Sequence, residues 1–419
     1  MVLPIFRAGR KQCFDSRMFH VMVVLEIRPK LARIRVRFSW NDCRKYTLDK
    51  FTFACSTGDT SEAVSADLLD KLGPIPPEAN LGFIYGTDHS VSVLPETLQA
   101  LKQATGIEHW TGTIGTGLSV TGEEHYDHPA VGVMLGQFAD PEFRMIDPQA
   151  IDVSGFVETS GDWLDENDHH FGVIHADPTN ARTPELIDAL AEAVPNAFFV
   201  GGMTSSNGQN LQVSDQVTSG GVSGVLFSSR VPLVTGHTQG CSPIAESHVV
   251  TSCQQNIAIE LDGRPALDVL RQDVGEVIAK DLQRMAGYIF AALPITGSDT
   301  GDYLVRNIIG VDEEQKLVGI GDQLTEGAEL MFCRRDGTSA QQDMERMLED
   351  ISRRVDGNAR GALYYSCVAR GRHQFGENSE ELKMIQEVLG DIPLVGFFAN
   401  GEIFHNRLYA YTGVLSVFC

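Results

Sequence analysis

Two stretches decide how this chain is read: Ala362-Leu363-Tyr364-Tyr365-Ser366-Cys367-Val368-Ala369-Arg370-Gly371-Arg372 (362–372) and Leu394-Val395-Gly396-Phe397-Phe398-Ala399-Asn400-Gly401-Glu402 (394–402). Each opens on a short apolar run bounded by turn residues, the pattern of a strand buried on both faces. Each then delivers small, thiol or charged groups at the strand's end. Layered folds of strands and helices hold ligands at such ends, because rigid strands position the loops that follow them.

The same rhythm runs outward from these stretches. Strands are expected over Phe51–Cys55, Leu81–Tyr85, Val131–Phe138, Phe171–His175, Phe198–Val200, Val222–Ser228, Ile257–Leu261 and Val414–Phe418. Helical stripes fall over 62–72, 97–105, 184–193, 266–270, 275–286 and 342–355; the last sets Met344, Met347, Leu348 and Ile351 on one face. Strands alternating with helices indicate an α/β to α+β fold with helices packed on mixed sheets. The run 110–122 is glycine-rich, and Gly112–Gly117, like Gly201-Gly202, is read as a turn where backbones approach closely or φ is positive. No low-complexity segment and no short-period solenoid repeat stands out.

A chain of 419 residues, 42% of them apolar, can bury a large core, and two domains are the default. The expected division is a basic leader over 1–48, a first half over 49–250 and a second over 251–419. No apolar run is long enough to span a bilayer. The net charge is −23, while residues 1–50 hold 12 Lys and Arg against 4 Asp and Glu. So acidic a body repels phosphate backbones, which excludes nucleic acid as an expected partner. The leader is a poor transit or signal peptide, since Asp15, Glu26, Asp42 and Asp49 interrupt it. It reads as a poorly ordered extension or as a start placed upstream of the true one near Leu48. Eight cysteines form no CxxC pair, which suits reduced thiols in a cytoplasmic protein.

Gly112-Thr113-Ile114-Gly115-Thr116-Gly117 lacks the order of a dinucleotide loop, and no GK[ST] follows it. Gly221-Val222-Ser223-Gly224-Val225 is not a nucleophile elbow. His125, Asp127 and His128, or His169, His170 and His175, are acidic turns and His pairs of the kind found on solvated surfaces. No cofactor and no metal is expected. Cys241, in Gln239-Gly240-Cys241-Ser242-Pro243-Ile244, and Cys367 each sit where a strand ends. They read either as small buried hydrophobes or as groups that contact a ligand. Arg370 and Arg372, flanking Gly371, can clamp a carboxylate bidentately or pair structurally with Glu402 or Glu377. Asn400-Gly401 is a turn dipeptide that aims Glu402 away from its strand.

From about residue 50 onward the chain resembles a stand-alone FIST protein. The segments that carry the likeness include Gly112–Glu123, Phe171-Gly172-Val173-Ile174-His175-Ala176-Asp177-Pro178, Gln239–Ile244, Glu260-Leu261-Asp262-Gly263-Arg264-Pro265-Ala266 and the two stretches quoted first. Each is weak alone; their order over some 360 residues is specific. The resemblance implies N-terminal and C-terminal FIST halves and a sensory module that binds a small ligand such as an amino acid. It also implies signalling to a partner protein in trans, since no transmitter pattern follows Cys419. The basic leader departs from the family pattern.

Two function classes follow. In the first, a sensor, Cys241, Ser366, Cys367, Arg370, Gly371, Arg372, Asn400 and Glu402 form the ligand site, with arginine on a carboxylate and Glu402 or Asn400 on an amine. In the second, a cysteine-dependent enzyme, Cys367 or Cys241 attacks with help from His237, His373 or His405. A protein-interaction scaffold would instead show a broad apolar patch.

Overall fold

Helix starts and stops follow local chemistry. Thr60 accepts a hydrogen bond from the Ala63 amide and opens α1 (Ser61–Leu72), and Gly73 closes it with positive φ. Pro95 sits in the first turn of α2 (Leu94–Thr105), as Pro184 does in α4 (Thr183–Ala193), after α3 (Ser154–Asp165). The remaining described helices are α5 (Ala266–Val274), α6 (Gly337–Val355) and α7 (Glu380–Leu389). The structure is a computed structural model that describes residues 51–419 except 150, 195, 276–286 and 296–301. The expected basic leader over 1–48 lies outside the described residues. So does all but the first residue of the helix expected over 275–286.

Three six-stranded sheets share one plan. The first runs β1 (Thr52–Thr57), β6 (Ala130–Gly136), β2 (Leu81–Thr87), β3 (His109–Gly115), β10 (Gln212–Ser214) and β11 (Gln216–Thr218). The second runs β7 (Phe143–Gln149), β12 (Val222–Ser228), β8 (His170–Ala176), β9 (Ala197–Met203), β24 (Glu402–His405) and β25 (Arg407–Tyr409). The third runs β13 (Leu233–Gln239), β26 (Thr412–Phe418), β22 (Gly361–Cys367), β23 (Leu394–Ala399), β4 (Gly117–Val120) and β5 (Glu123–Tyr126). In each, the first strand pairs antiparallel with the second, the second antiparallel with the third, and the third parallel with the fourth. Each is thus one β-α-β-α-β…β repeat completed by a hairpin.

The hairpins are exchanged in a cycle. The first repeat sends β4–β5 to the third sheet, the second sends β10–β11 to the first, and the third sends β24–β25 to the second. Register fixes the equivalence of the repeats. Gly112, Gly201 and Gly396 each stand opposite a residue of the parallel neighbour, Ile84, Ile174 and Tyr364. A Cβ there would lie 1.7, 1.9 and 1.7 Å from the carbonyl oxygens of those residues, so the strands can approach only at glycine. Gly112–Gly117, expected as a turn of close backbone approach, is therefore largely strand, and the close approach is at Gly112 within β3.

The inner faces of the three sheets enclose one core, with Phe83, Val173, Leu363, Val395 and Phe418 among its members. The outer faces are covered by α1 and α2, by α3 and α4, and by α6 and α7. One residue beyond Ile84, Ile174 and Tyr364 come Tyr85, His175 and Tyr365, which meet at the centre. The Tyr85 hydroxyl lies 3.0 Å from both His175 Nε2 and the Tyr365 hydroxyl. Complete burial drives the His175 pKa down to about 3, so its ring is neutral.

Between β13 and α6 the chain builds a small barrel. β21 (Glu329–Arg335), β15 (His248–Gln254), β16 (Ile257–Leu261), β20 (Leu317–Ile320), β19 (Tyr303–Asp312) and β18 (Ile289–Pro294) pair in a ring, because β18 returns to β21. β14 (Cys241–Pro243) and β17 (Arg264–Pro265) flank it. Leu267 and Leu270 of α5 join its apolar interior. No described helix is long and apolar enough to cross a membrane.

Candidate functional site

The three repeats differ in what they place where their second strand ends. Three residues past Thr87, Asp177 and Cys367 stand Ser90, Asn180 and Arg370. Ser90 donates to the Ala130 carbonyl at 2.8 Å and Asn180 donates to the Gly220 carbonyl at 2.8 Å, each fastening the next strand of its own sheet. Arg370 turns instead toward α7. On the facing hairpins, equivalent registers carry Leu118, Gln212 and Glu402. Only the third junction therefore has a charged residue at both places.

Arg370 is fully buried and is held by Glu381, likewise fully buried, with Nη2 to Oε1 at 2.7 Å and Nε to Oε1 at 2.8 Å. Glu381 also accepts from the Tyr364 hydroxyl at 2.6 Å, the Ser366 hydroxyl at 3.2 Å and the Gly371 amide at 2.8 Å. Burial opposes the charge of Arg370, but the Glu381 carboxylate outweighs it and raises the guanidinium pKa. So complete a shell meets the demand of a buried ion pair that every lone pair find a donor. Gly371 has φ +53, and a Cβ there would stand 2.2 Å from the Tyr126 hydroxyl. Glycine alone lets the loop turn toward Glu381 at this point.

Close enough to Arg370 to feel its charge lies the fully buried Glu402. Its Oε2 accepts from the Thr412 hydroxyl at 2.6 Å and the Thr412 amide at 3.1 Å. Burial raises its pKa to about 8, against the pull of those bonds, Arg370 and the adjacent Cys367 thiol. Two atoms here have no hydrogen-bond partner: Arg370 Nη1 and Glu402 Oε1. Buried polar atoms without partners are costly, and each of these two leaves hydrogen-bonding capacity unused.

The thiols are buried and protonated. Contact with Cys333, then burial, pushes the Cys241 thiol up; burial, then Glu402, does the same to Cys367. Among the described residues no hydrogen bond joins either thiol to an imidazole: His237 faces Asp302 and Phe404, and His405 bonds Asn406. A reactive cysteine needs the opposite conditions. Cys55 does lie 3.5 Å from His125, a pair the sequence reading missed, yet burial lifts its thiol to about 12. No group of three or more His, Cys, Asp or Glu side chains among the described residues is arranged to hold a metal ion.

Cys241 also forms part of an open cleft of about 520 Å³ between β13, α6 and the barrel. Tyr303, Ser242, Asp343, Arg346 and Phe404 line it as well, and Tyr303 donates to the Cys241 carbonyl at 2.7 Å. The structure thus gathers Ser366, Cys367, Arg370, Gly371 and Glu402 around one junction, while Cys241 lies on the cleft. Arg372 points elsewhere: it bonds Asp127 at 2.6 Å and stacks on Tyr126. Asn400 is exposed, with its amide on the Met203 carbonyl. Sequence reasoning also missed Glu381, whose signal was its place one helical turn before Ile385 on the apolar stripe of α7.

Comparison with known proteins follows the same segments. An uncharacterized protein of Mycobacterium tuberculosis is 30% identical over 363 residues, covering 81% of this chain and 90% of that protein. One of Mycobacterium bovis is 29% identical over 390 residues, covering 87% and 97%. The FIST N domain matches residues 80–264 and the FIST C domain residues 266–405. FIST domains are sensory domains of signal transduction that bind small ligands. The chain carries both halves, and it belongs to the FIST family.

Proposed function

We propose that this chain is a small-ligand sensor whose ligand, an amino acid or related metabolite, is held at the third junction. Cys241, Ser366, Cys367, Arg370, Gly371 and Glu402 form or support its inner wall, and the cleft beside Cys241 is its approach. The partnerless pair Arg370 Nη1 and Glu402 Oε1 carries this reading. Glu402 stands in the second sheet and Arg370 follows a strand of the third, so an occupant there ties two sheets together. Binding that favours the tied arrangement shifts the population toward it. A partner protein in trans reads that shift, in a cytoplasmic setting.

A thermal-shift screen of amino acids and small metabolites tests the reading. A true ligand raises the melting temperature with concentration through linkage, and the rise is lost in Glu402→Leu. A broad panel that leaves the transition unmoved would remove the reading's support.

A further inference from the structure

The cleft between β13, α6 and the barrel is lined as a site in its own right. We infer that it recognises an organic cation, an amine carried on an apolar or aromatic body and lacking a carboxylate. This rests on the sensor reading above and names the class of its ligand: among metabolites related to amino acids, it singles out the amines.

Shape and surface come first. The cleft measures about 520 Å³, the size of a small-molecule pocket. Three half-buried rings line it, His237, Tyr303 and Phe404, and the rings of His237 and Phe404 stand 4.4 Å apart. Tyr409 backs them, 5.4 Å from His237. The Tyr303 hydroxyl gives its proton to the Cys241 carbonyl at 2.7 Å, so its oxygen keeps lone pairs for an N–H. Ring faces attract cations and offer nothing to a carboxylate.

Charge is the second reason. The wall supplied by α6 holds two arginines, and both are engaged. Arg346 gives Nε to Asp343 at 2.6 Å and Nη2 to the His237 carbonyl at 3.3 Å. Arg354 gives Nη1 to the Thr235 carbonyl at 2.8 Å and to Asp350 at 3.1 Å. Asp343 accepts in turn from the Gln239 amide at 2.7 Å. These bonds fasten the outer edge of β13 to α6. With Asp302 in the lining as well, three carboxylates face the cleft against two guanidiniums. The chain's net charge of −23 adds a field of the same sign. A ligand carboxylate would have to displace an aspartate from its arginine or lie among like charges, whereas an ammonium meets carboxylates and rings.

The first repeat supplies an internal comparison. Lys71 of α1 bonds the Cys55 carbonyl of β1 at 2.8 Å and Asp67 at 2.7 Å, the same kind of strap that Arg354 makes with Thr235 and Asp350. Such straps hold an edge strand to its helix, which assigns the arginines of α6 to the fold. What the third repeat adds is the barrel, which brings Cys241 and Tyr303 beside β13 and encloses the cleft.

Three compounds with one ring test the inference: 2-phenylethylamine, a cation; L-phenylalanine, a zwitterion; and 3-phenylpropanoate, an anion. Calorimetric titration of the whole chain at neutral pH should show the amine binding, with the other two weaker by about tenfold or more. Raising salt from roughly 0.05 M to 0.5 M should weaken the amine severalfold. Its hydrogen-exchange footprint should fall on β13 and the start of β19. In Asp302→Asn/Asp350→Asn, shown to be folded by its melting transition, the amine should lose affinity and 3-phenylpropanoate should gain it. Equal or tighter binding of L-phenylalanine or 3-phenylpropanoate overturns the inference, as does a footprint away from β13 or an unchanged amine affinity in the double variant. If L-phenylalanine or another metabolite binds and the amine does not, the inference falls and the sensor reading stands. If nothing binds, both fail.

Discussion

Glu381 governs the third junction at the scale of single residues, because it closes the shell around Arg370 from a helix whose adjacent Glu380 and Lys383 pair at the surface. Removing one partner of a buried ion pair leaves the other charge uncompensated, a cost of about 3–5 kcal/mol. Glu381→Ala should lower unfolding stability by that order in denaturant titration; a loss under about 1 kcal/mol would mean water enters the site. Glu402 gives the opposite signature. Its folded pKa, about 8, lies above the ordinary carboxylate value. Its contribution is thus fully present below pH 4.5 and is lost progressively as pH rises through 8. Stability should therefore fall between pH 6 and 9 by more in the wild type than in Glu402→Gln, and equal slopes would contradict the assignment. Cys367 and Arg370 were legible because they lie at or just past the end of an apolar strand, and Glu402 because it follows the turn after another; Glu381 was not, because an acidic residue on a helix reads as surface.

Strands and helices carry the next level. Most were legible from apolar runs and periodicity, and α6 shows why: Met344, Met347, Leu348 and Ile351 mark its buried face at helical spacing. β3 and β4 were hidden by their glycines, which serve interstrand contact and not turns. Gly396→Ala should disrupt the β22–β23 pairing, since its Cβ would meet the Tyr364 carbonyl at 1.7 Å. We expect a loss of several kcal/mol or failure to fold, read by denaturation and circular dichroism. The barrel has its own peg. His248 bonds Asp262 at 2.6 Å and Asp273 at 2.8 Å, so both ring nitrogens face carboxylates. Burial opposes its charge, but the two carboxylates outweigh that and raise its pKa. The stability it lends is complete below the ordinary histidine range and is lost as pH climbs through the raised value. Hydrogen exchange of the β15 and β16 amides should quicken with pH beyond the intrinsic rate in the wild type, and show no such excess in His248→Phe. An excess of the same size in both would refute the peg.

At the scale of the whole molecule, the cyclic exchange of hairpins joins the chain's distant parts. β4 and β13, from before residue 240, lie in one sheet with β22, β23 and β26, while β24 completes the sheet of β8 and β9. A fragment covering 48–264 should therefore lack cooperative unfolding by itself, and regain it when mixed with 265–419; a cooperatively melting fragment would contradict this reading. The threefold repetition escaped the sequence because equivalent positions share little beyond one glycine and buried apolar neighbours. Tyr85, His175 and Tyr365 occupy one place in three repeats, yet one of them is a histidine, and the exchanged hairpins interrupt any linear period. The central claim is that the third junction, where two sheets face each other across Arg370 and Glu402, is a ligand site. An experimental density map of protein purified without added ligand tests it most directly. The account predicts a bound, non-water group touching Arg370 Nη1 and Glu402 Oε1. Water alone in that place, with a ligand seated elsewhere, would contradict it.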